Sequence, residues 1–535
     1  MDASICSKCG TRSSTSATNS TIQSLKNAAA PGTRLHALIH SNEPPEPSEI
    51  PFIRSFAPEI DASLTSADAE ILRLQEQLRS LQQDRSDLLD YQRTHKSILS
   101  PLRRMPPEIL AEIFTSSIPV VSELLDRESF RIEDSPWVWT HICSRWRAVA
   151  ISTPALWSVI AMDFANYDYP LEAAVAHVER SAMLKIHFYA FKKPWTDTSS
   201  QTQMFSYLIE HSLRWEELCI ALTQDLIPLL PSLRNRIPSL GRLWVQVDGD
   251  LTEEVAPVVN FPQTAASLVE IGVSRCLSPG SFLPRTHQLT HYYADAPWDV
   301  HQEILRLSSS LVTAHVNLFP EPPDWSTLAC EVVELPQLRC LFISHIEALA
   351  YFKTPLLGQI TLDLFPDESD FPPAFERFLA NSSSTLRRLG LRGMPDLILT
   401  SKILRACADL SELAIIIHPV TDALAYETSS ALIRLLIPTQ DSGILPRLSR
   451  IHVAFEGALS LDHELYAQML ESRWNMRPRV LQAATVCFQH EPNLSSIAHL
   501  RLGALRCGGL DFTLTKVGNA QEYMAHWLCR PGWIG

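Results

Sequence analysis

From about residue 210 onward one six-residue pattern recurs: an apolar residue, two of any kind, an apolar residue, one of any kind, and a third apolar residue. Leu240, Leu243 and Val245 make one copy. Leu268/Ile271/Val273, Leu289/Tyr292/Ala294, Leu311/Ala314/Val316, Leu338/Leu341/Ile343, Leu357/Ile360/Leu362, Leu386/Leu389/Leu391, Leu410/Leu413/Ile415 and Leu448/Ile451/Val453 follow it, and Trp215/Leu218/Ile220 is a weaker copy ahead. The last two apolar positions lie two residues apart, so they share one face of a short strand. The first turns into the core before the strand begins. Between copies the apolar spacing changes to three and four, as in Phe205, Leu208, Ile209 and Leu213, in Val300, Ile304 and Leu307, in Phe375, Phe378 and Leu379, and in Leu432, Leu435 and Leu436. That is helical spacing. A strand of three or four residues cannot hold itself, so the copies must stack and bury one continuous core. The expectation over residues 161–459 is an α/β architecture, a curved solenoid with parallel strands inside and helices outside.

The copies start about 19 to 29 residues apart as far as Leu410, and the wider gap before Leu448 leaves room for an inserted helix. Period and pattern resemble leucine-rich repeats. The turn position eight residues after the first Leu is Asp248, Cys276, Phe319, Ile346, Met394 or His418, so the usual inner Asn ladder is missing and the stack is expected to be irregular. The pattern fades after about residue 456. Residues 460–535 therefore read as a closing cap, with Trp474, Trp527 and Trp533 over the last repeat.

Hydrophobic residues make up 46% of the chain and charged residues 19%, both globular values. Pro outnumbers Gly, 37 to 17, which disfavours glycine-rich phosphate loops. The formal net charge of −14 is spread along the chain, so a general polyanion binder is excluded and no nucleic-acid partner is expected. No run of about 18 apolar residues occurs and Met1-Asp2-Ala3-Ser4 leads into no apolar stretch, so neither a membrane span nor a secretory signal is expected. Eleven scattered cysteines without a framework point to free thiols in a reducing compartment, cytoplasmic or nuclear.

Residues 1–60 read as a disordered tail followed by a Pro-rich linker over 41–60. A zinc reading would take Cys6, Cys9, His36 and His40 as ligands. The gap between Cys9 and His36 is about twice that of a finger of this type, so ordinary thiols and no metal are expected. Residues 61–100 carry a heptad seam through Leu64, Ala67, Ile71, Leu74, Leu78, Leu81, Arg85, Leu88, Gln92, His95 and Leu99, unbroken by Pro or Gly. So long an apolar stripe needs a partner, either a second copy in a coiled coil or another part of the chain. Arg85, Gln92 and His95 weaken self-pairing in its C-terminal half.

Pro101 ends that helix. Pro106 and Pro107 then suit a helix start and Glu108 its positive dipole end, with Ile109, Leu110, Ile113 and Phe114 forming an apolar face. A second helix is expected over 136–150, capped by Ser135 and lined by Val138, Ile142, Trp146 and Val149. Residues 101–160 resemble an F-box-like domain. The family opens with a Leu-Pro-x-Glu-Ile-Leu helix, here Met105-Pro106-Pro107-Glu108-Ile109-Leu110. Its later Cys-x-x-Trp-Arg helix and Pro-x-Leu-Trp turn appear as Cys143-Ser-Arg-Trp146-Arg147 and Pro154-Ala-Leu156-Trp157. The stretch between the helices is longer than in the compact motif and is similar to that of fungal F-box proteins, which also tend to carry a preceding coiled coil. The resemblance implies an all-α module that docks on the Skp-type adaptor of a cullin-based SCF ubiquitin ligase. On family analogy Met105 and Pro106 face the adaptor, Ile109 and Leu110 are split between contact and core, and Trp146 and Trp157 are internal.

No phosphate loop, dinucleotide fingerprint, nucleophile elbow or zinc-protease motif occurs, so no catalytic residue and no cofactor is assigned. The chain reads as a substrate-recognition subunit, with a repeat scaffold that takes no part in ubiquitin transfer as the alternative. In each copy the side chain between the two strand apolar positions, and the one after them, faces away from the core. Trp244, Gln246, Tyr293, Asp295, His315, Asn317, Phe342, Ser344, Asp363, Arg392 and His452 are thus expected on the inner face. Trp244, Tyr293, His315, Phe342 and Arg392 are the expected contacts to a target protein, because aromatic and Arg side chains dominate binding hot spots.

Overall fold

The structure, a computed structural model, describes residues 15–125, 130–131, 133–134, 136–165, 169–191, 197–247, 260–274, 288–320, 322–325, 331–364, 371–382, 386–393, 397–417, 422–438, 444–455, 461–488, 494–516 and 524–530. The chain divides into two compact units, Met1–Pro106 and Pro107–Gly535. The boundary falls inside the 101–160 module expected from the sequence.

The first unit contains α1 (Thr15–Ala28), α2 (Arg34–His40) and α3 (Ile50–Ile98). Two expectations are corrected here. Residues 15–28 and 34–40 are helical rather than disordered, and α1 packs against α3. The long helix starts at Ile50, not near 61, and takes in half of the Pro-rich linker. Pro51 sits in its first turn, where a missing N–H costs nothing, and Pro58 lies inside it. No residue of α3 is buried, and Leu64, Ile71, Leu74, Leu78, Leu81 and Leu88 along the seam are all exposed.

The second unit opens with α4 (Pro107–Ser116), α5 (Val121–Leu125), α6 (Trp137–Ile142) and α7 (Ser144–Ile151). The expected helix over 136–150 is two helices broken at Cys143. That residue is extended, and its sulfur accepts the Trp146 N–H at 3.4 Å, which caps α7. Ile142 is exposed rather than core, and Ser135 lies outside the described residues. An aromatic core holds the segment together. Phe114 stacks on Trp139 at 4.9 Å and meets Trp146 at 5.0 Å, and Trp137 meets Trp157 edge-on at 5.0 Å. Trp157 is fully buried and its indole N–H donates to the Ala150 carbonyl at 2.8 Å.

The sheet strands follow: β1 (Val159–Asp163), β2 (Leu184–Tyr189), β3 (Trp215–Leu222), β4 (Arg242–Val247), β5 (Glu270–Ser274), β6 (His291–Ala296) and β7 (Thr313–Leu318). A short β8 (Val333–Glu334) comes next, then β9 (Cys340–Ile343), short β10 (Phe352–Lys353), β11 (Gln359–Leu364), β12 (Arg388–Gly393), β13 (Glu412–Ile417), β14 (Arg450–Phe455), β15 (Ala483–Phe488) and β16 (Asp511–Lys516). Between them lie α8 (Leu171–Arg180), α9 (Ser199–Glu210), α10 (Trp298–Leu307), α11 (Phe371–Ser382), α12 (Leu397–Ala406), α13 (Asp422–Leu436), α14 (His463–Trp474) and α15 (Ser496–Cys507). Fourteen of the described strands form one open parallel sheet in strict chain order, and β8 and β10 pair separately. The unit is thus mixed α/β with a single large parallel sheet.

The hexad explains the register. Its middle apolar residues align strand to strand, Leu218 beside Leu243, then Ile271, Tyr292, Ala314, Leu341, Ile360, Leu389, Leu413 and Ile451. These side chains and the first Leu of each copy are buried in one continuous core together with helix residues such as Phe205, Ile304, Phe378 and Leu436. The stack is longer than the pattern suggested at both ends. Trp157/Ile160/Met162 and Met183/Ile186/Phe188 are copies that build β1 and β2. The cap expected over 460–535 is instead two more strand–helix units through Lys516. There the hexad is blurred by Ala484 in the middle position and by Gly509 in the first. Of the turn positions, Phe319 and Ile346 are described, and Ile346 is buried. Asp248, Cys276, Met394 and His418 lie outside the described residues.

Candidate recognition face

The sheet has a second face, turned away from the main core, and its middle row is set by the residue between the two strand apolar positions. Strand pairing lines up Cys219, Trp244, Gly272, Tyr293, His315, Phe342, Thr361, Gly390, Ala414, His452 and Thr485. The facing expected from the sequence is therefore observed, but the openness is not. Trp244, Tyr293, His315 and Phe342 are all buried, and this corrects their assignment as exposed contacts. The rings bury one another. Trp244 lies over Gly272 and reaches Tyr293 at 4.5 Å. Tyr293 stacks on His315 at 3.8 Å, and His315 on Phe342 at 3.9 Å with the planes 4° apart. Arg392 is half-buried and already pairs with Asp363 at 2.7 Å, so it too is no open contact.

A charged row runs beside the rings. Glu217 bridges His187 and Arg242, both at 2.7 Å, and Glu412 bridges Arg388 at 3.0 Å and Arg450 at 3.4 Å.

The middle of this face is covered by a C-terminal segment, residues 524–530. Met524, Trp527, Leu528 and Cys529 form one buried cluster with Phe342, Ala414, Ile416, Ala454 and Cys487. Three side chains of the sheet donate to the segment's main chain: His315 Nδ1–H to the Leu528 carbonyl at 2.6 Å, Gln359 Nε2–H to that of His526 at 3.0 Å, and the Thr361 hydroxyl to that of Trp527 at 2.5 Å. Because a carbonyl can only accept, the His315 proton sits on Nδ1. The Arg388 guanidinium lies 4.6 Å over the Trp527 ring, the His452 ring lies tilted beside it at 5.7 Å, and Arg530 approaches Tyr293 at 5.9 Å. Burial holds His315 well below the ordinary imidazole pKa despite its bond to Leu528, with Arg530 and Arg392 adding to the depression. Burial and Arg388 hold His526 down to about 4, and burial lowers His452. All three imidazoles are neutral at neutral pH. Trp527 thus covers the second face instead of closing the end of the stack.

On the helical side, α4 divides its apolar residues. Leu110 and Phe114 are core, whereas Ile109 and Ile113, one turn apart, are 49% and 43% exposed. Leu110 is 1% exposed, so of the pair split between contact and core it falls on the core side and is not an adaptor contact. Met105 is half-buried and Pro106 exposed. Trp146 is half-buried and Trp157 internal.

Sequence reasoning missed Gln359, Thr361, Arg388 and the 524–530 segment. The signal for Thr361 was present: it is the middle residue of the Leu357/Ile360/Leu362 copy. Cys6, Cys9 and Trp533 lie outside the described residues. Among the described residues no cluster of three or more His, Cys, Asp or Glu is arranged to hold a metal ion, the described cysteines are free thiols, and no helix is long and apolar enough to cross a membrane. No family model matches the chain, and no curated protein matches it.

Proposed function

We propose that the chain is the substrate-recognition subunit of an SCF-type E3 ubiquitin ligase, working in the cytoplasm or nucleus. In this reading α4 docks the Skp-type adaptor, and the parallel sheet, read as a curved leucine-rich-repeat solenoid, presents its inner face to a target protein. Catalysis belongs to other subunits. This chain contributes proximity alone and needs no cofactor. The exposed seam of α3 is left to pair with a second copy in a coiled coil.

The observation that carries the reading is the division of apolar residues on α4. Ile109 and Ile113 leave the core and lie together on its outer side, while the helix stays anchored by Leu110 and Phe114. Exposed apolar residues grouped in this way mark interfaces. The last four residues of the motif, Pro107-Glu108-Ile109-Leu110, form the first turn of the same helix.

The test is capture of a recombinant Skp-type adaptor by the full chain and by Ile109→Glu with Ile113→Glu. Both positions are exposed, so the melting temperature should not move while capture is lost. Leu110 is unsuitable for this purpose, because a charge there would test the fold. If the double variant captures the adaptor as well as the unaltered chain does, α4 is not the docking site.

A further inference from the structure

We infer that the second face of the sheet is a peptide-binding site, that residues 524–530 are its resident ligand, and that the partner it fits is a target segment with a large aromatic residue followed by an aliphatic one. The inference rests on the reading of this face as a recognition surface and is independent of adaptor docking.

Three features of the contact support it. The donors His315, Gln359 and Thr361 all address main-chain carbonyls, at residues 528, 526 and 527 in turn. Such bonds are available to any chain lying in the same conformation, whatever its side chains. Those donors are fixed on β7 and β11, so the site is shaped before a ligand arrives. Selectivity then falls to Trp527 and Leu528, which enter a cluster floored by Phe342 and small residues such as Ala414 and Ala454. Arg388 and His452 clamp the indole.

The third feature is imperfection. The Trp527 indole N–H and Arg530 Nε are buried without an acceptor among the described residues. A buried donor without an acceptor is costly. A segment that supplied that acceptor, or that offered a ring without a donor, would hold the site better than the resident segment does. The geometry therefore describes an occupant that a target can displace.

The probe is a fluorescein-labelled peptide with the sequence of residues 522–532, and the readout is fluorescence polarisation on the full chain. The unaltered chain, its site filled, should bind the probe weakly. Trp527→Ala should loosen the resident segment and tighten probe binding at least tenfold. Adding Thr361→Val should remove most of that gain, because Val keeps the shape but loses the donor. Melting curves accompany each variant. A Trp527→Ala chain that melts cooperatively yet binds the probe no better than the unaltered chain overturns the proposal. So does one that no longer melts cooperatively, since the segment would then be core. A dimer of the unaltered chain that Trp527→Ala abolishes would make the occupant a second copy's C-terminal segment and overturn the choice of a target. Adaptor capture is a separate readout: the proposal leaves it unchanged in these variants, and Ile109→Glu with Ile113→Glu should leave probe binding intact.

Discussion

The row of rings on the second face makes a quantitative prediction at Gly272. A Cβ built there would lie 2.0 Å from Trp244 Cε3 and 2.4 Å from Cζ3. Carbon atoms pack at about 3.5 Å or more, so Gly272→Ala requires the indole to retreat by about 1.5 Å. It has nowhere easy to go. Trp244 is buried with Cys219 and Tyr293, and Tyr293 is stacked on His315. Overpacking of this kind costs about 1–3 kcal/mol, against which losing the strand glycine's backbone entropy returns about 0.5–1 kcal/mol. The net expectation is a loss of about 1–2 kcal/mol. Gly503, in α15, is the control: nothing lies within 4 Å of its Cβ position. Gly503→Ala should stabilise by about 0.5–1 kcal/mol. Urea unfolding followed by tryptophan fluorescence measures both, and combining Gly272→Ala with Trp244→Ala should recover part of the loss through their coupling. If Gly272→Ala is as harmless as Gly503→Ala, Trp244 does not lie over β5 and the ring row is wrong.

Two further predictions concern buried charge. Burial depresses His177 and His301 to about 4, against an ordinary value of 6.5. Because the folded value lies below the unfolded one, the stability of the neutral forms is complete above about pH 6.5 and is lost as pH falls toward 4; at pH 5 each group costs about 2 kcal/mol. A urea midpoint equal at pH 7.5 and pH 5 would contradict this. Arg473 is buried and donates to the carbonyls of Leu436, Leu445 and Ile444 at 2.7, 3.2 and 2.9 Å, and burial holds its pKa down to about 10. Arg473→Met should strand three acceptors and cost about 3–5 kcal/mol, with Arg473→Lys recovering little of it in the same unfolding assay.

The sheet was legible because its determinant is local. Leu, two residues, Leu, one residue, Leu encodes a strand edge whatever the rest of the chain does, and the strands follow in chain order, so neighbours in sequence are neighbours in space. The extra strands escaped where the code is weak, at Ala484 and Gly509. The helix over 15–28 escaped because its Ser- and Thr-rich sequence shows no apolar period and what supports it is packing on α3. On α4, spacing found the apolar residues but could not sort Ile109 from Leu110, since adjacent helix positions separate only once the neighbours are known. The covering segment was out of reach for a different reason. His315 and Leu528 are 213 residues apart, and nothing in either neighbourhood encodes their meeting.

The composition of the second face and the presence of its cover explain one another. A sheet face left in water would favour polar side chains along its middle row. Here that row carries Trp244, Tyr293, His315 and Phe342, with glycine at β5 and β12 where the neighbouring Trp244 and Thr361 side chains need the space. Stacking satisfies Trp244 and Tyr293 from within the row. Phe342 is stacked on one side only, by His315, and Ile416, Ala454 and Cys487 add apolar surface farther along the same face. Residues 524–529 bring the matching apolar side chains, and His315, Gln359 and Thr361 satisfy the carbonyls that such a close approach would otherwise strand. An apolar floor ringed by donors for main-chain carbonyls is the physical requirement for holding an irregular peptide, and the donors sit here on two strands, β7 and β11. The arrangement serves any segment able to bring a ring and three turned carbonyls to the same place.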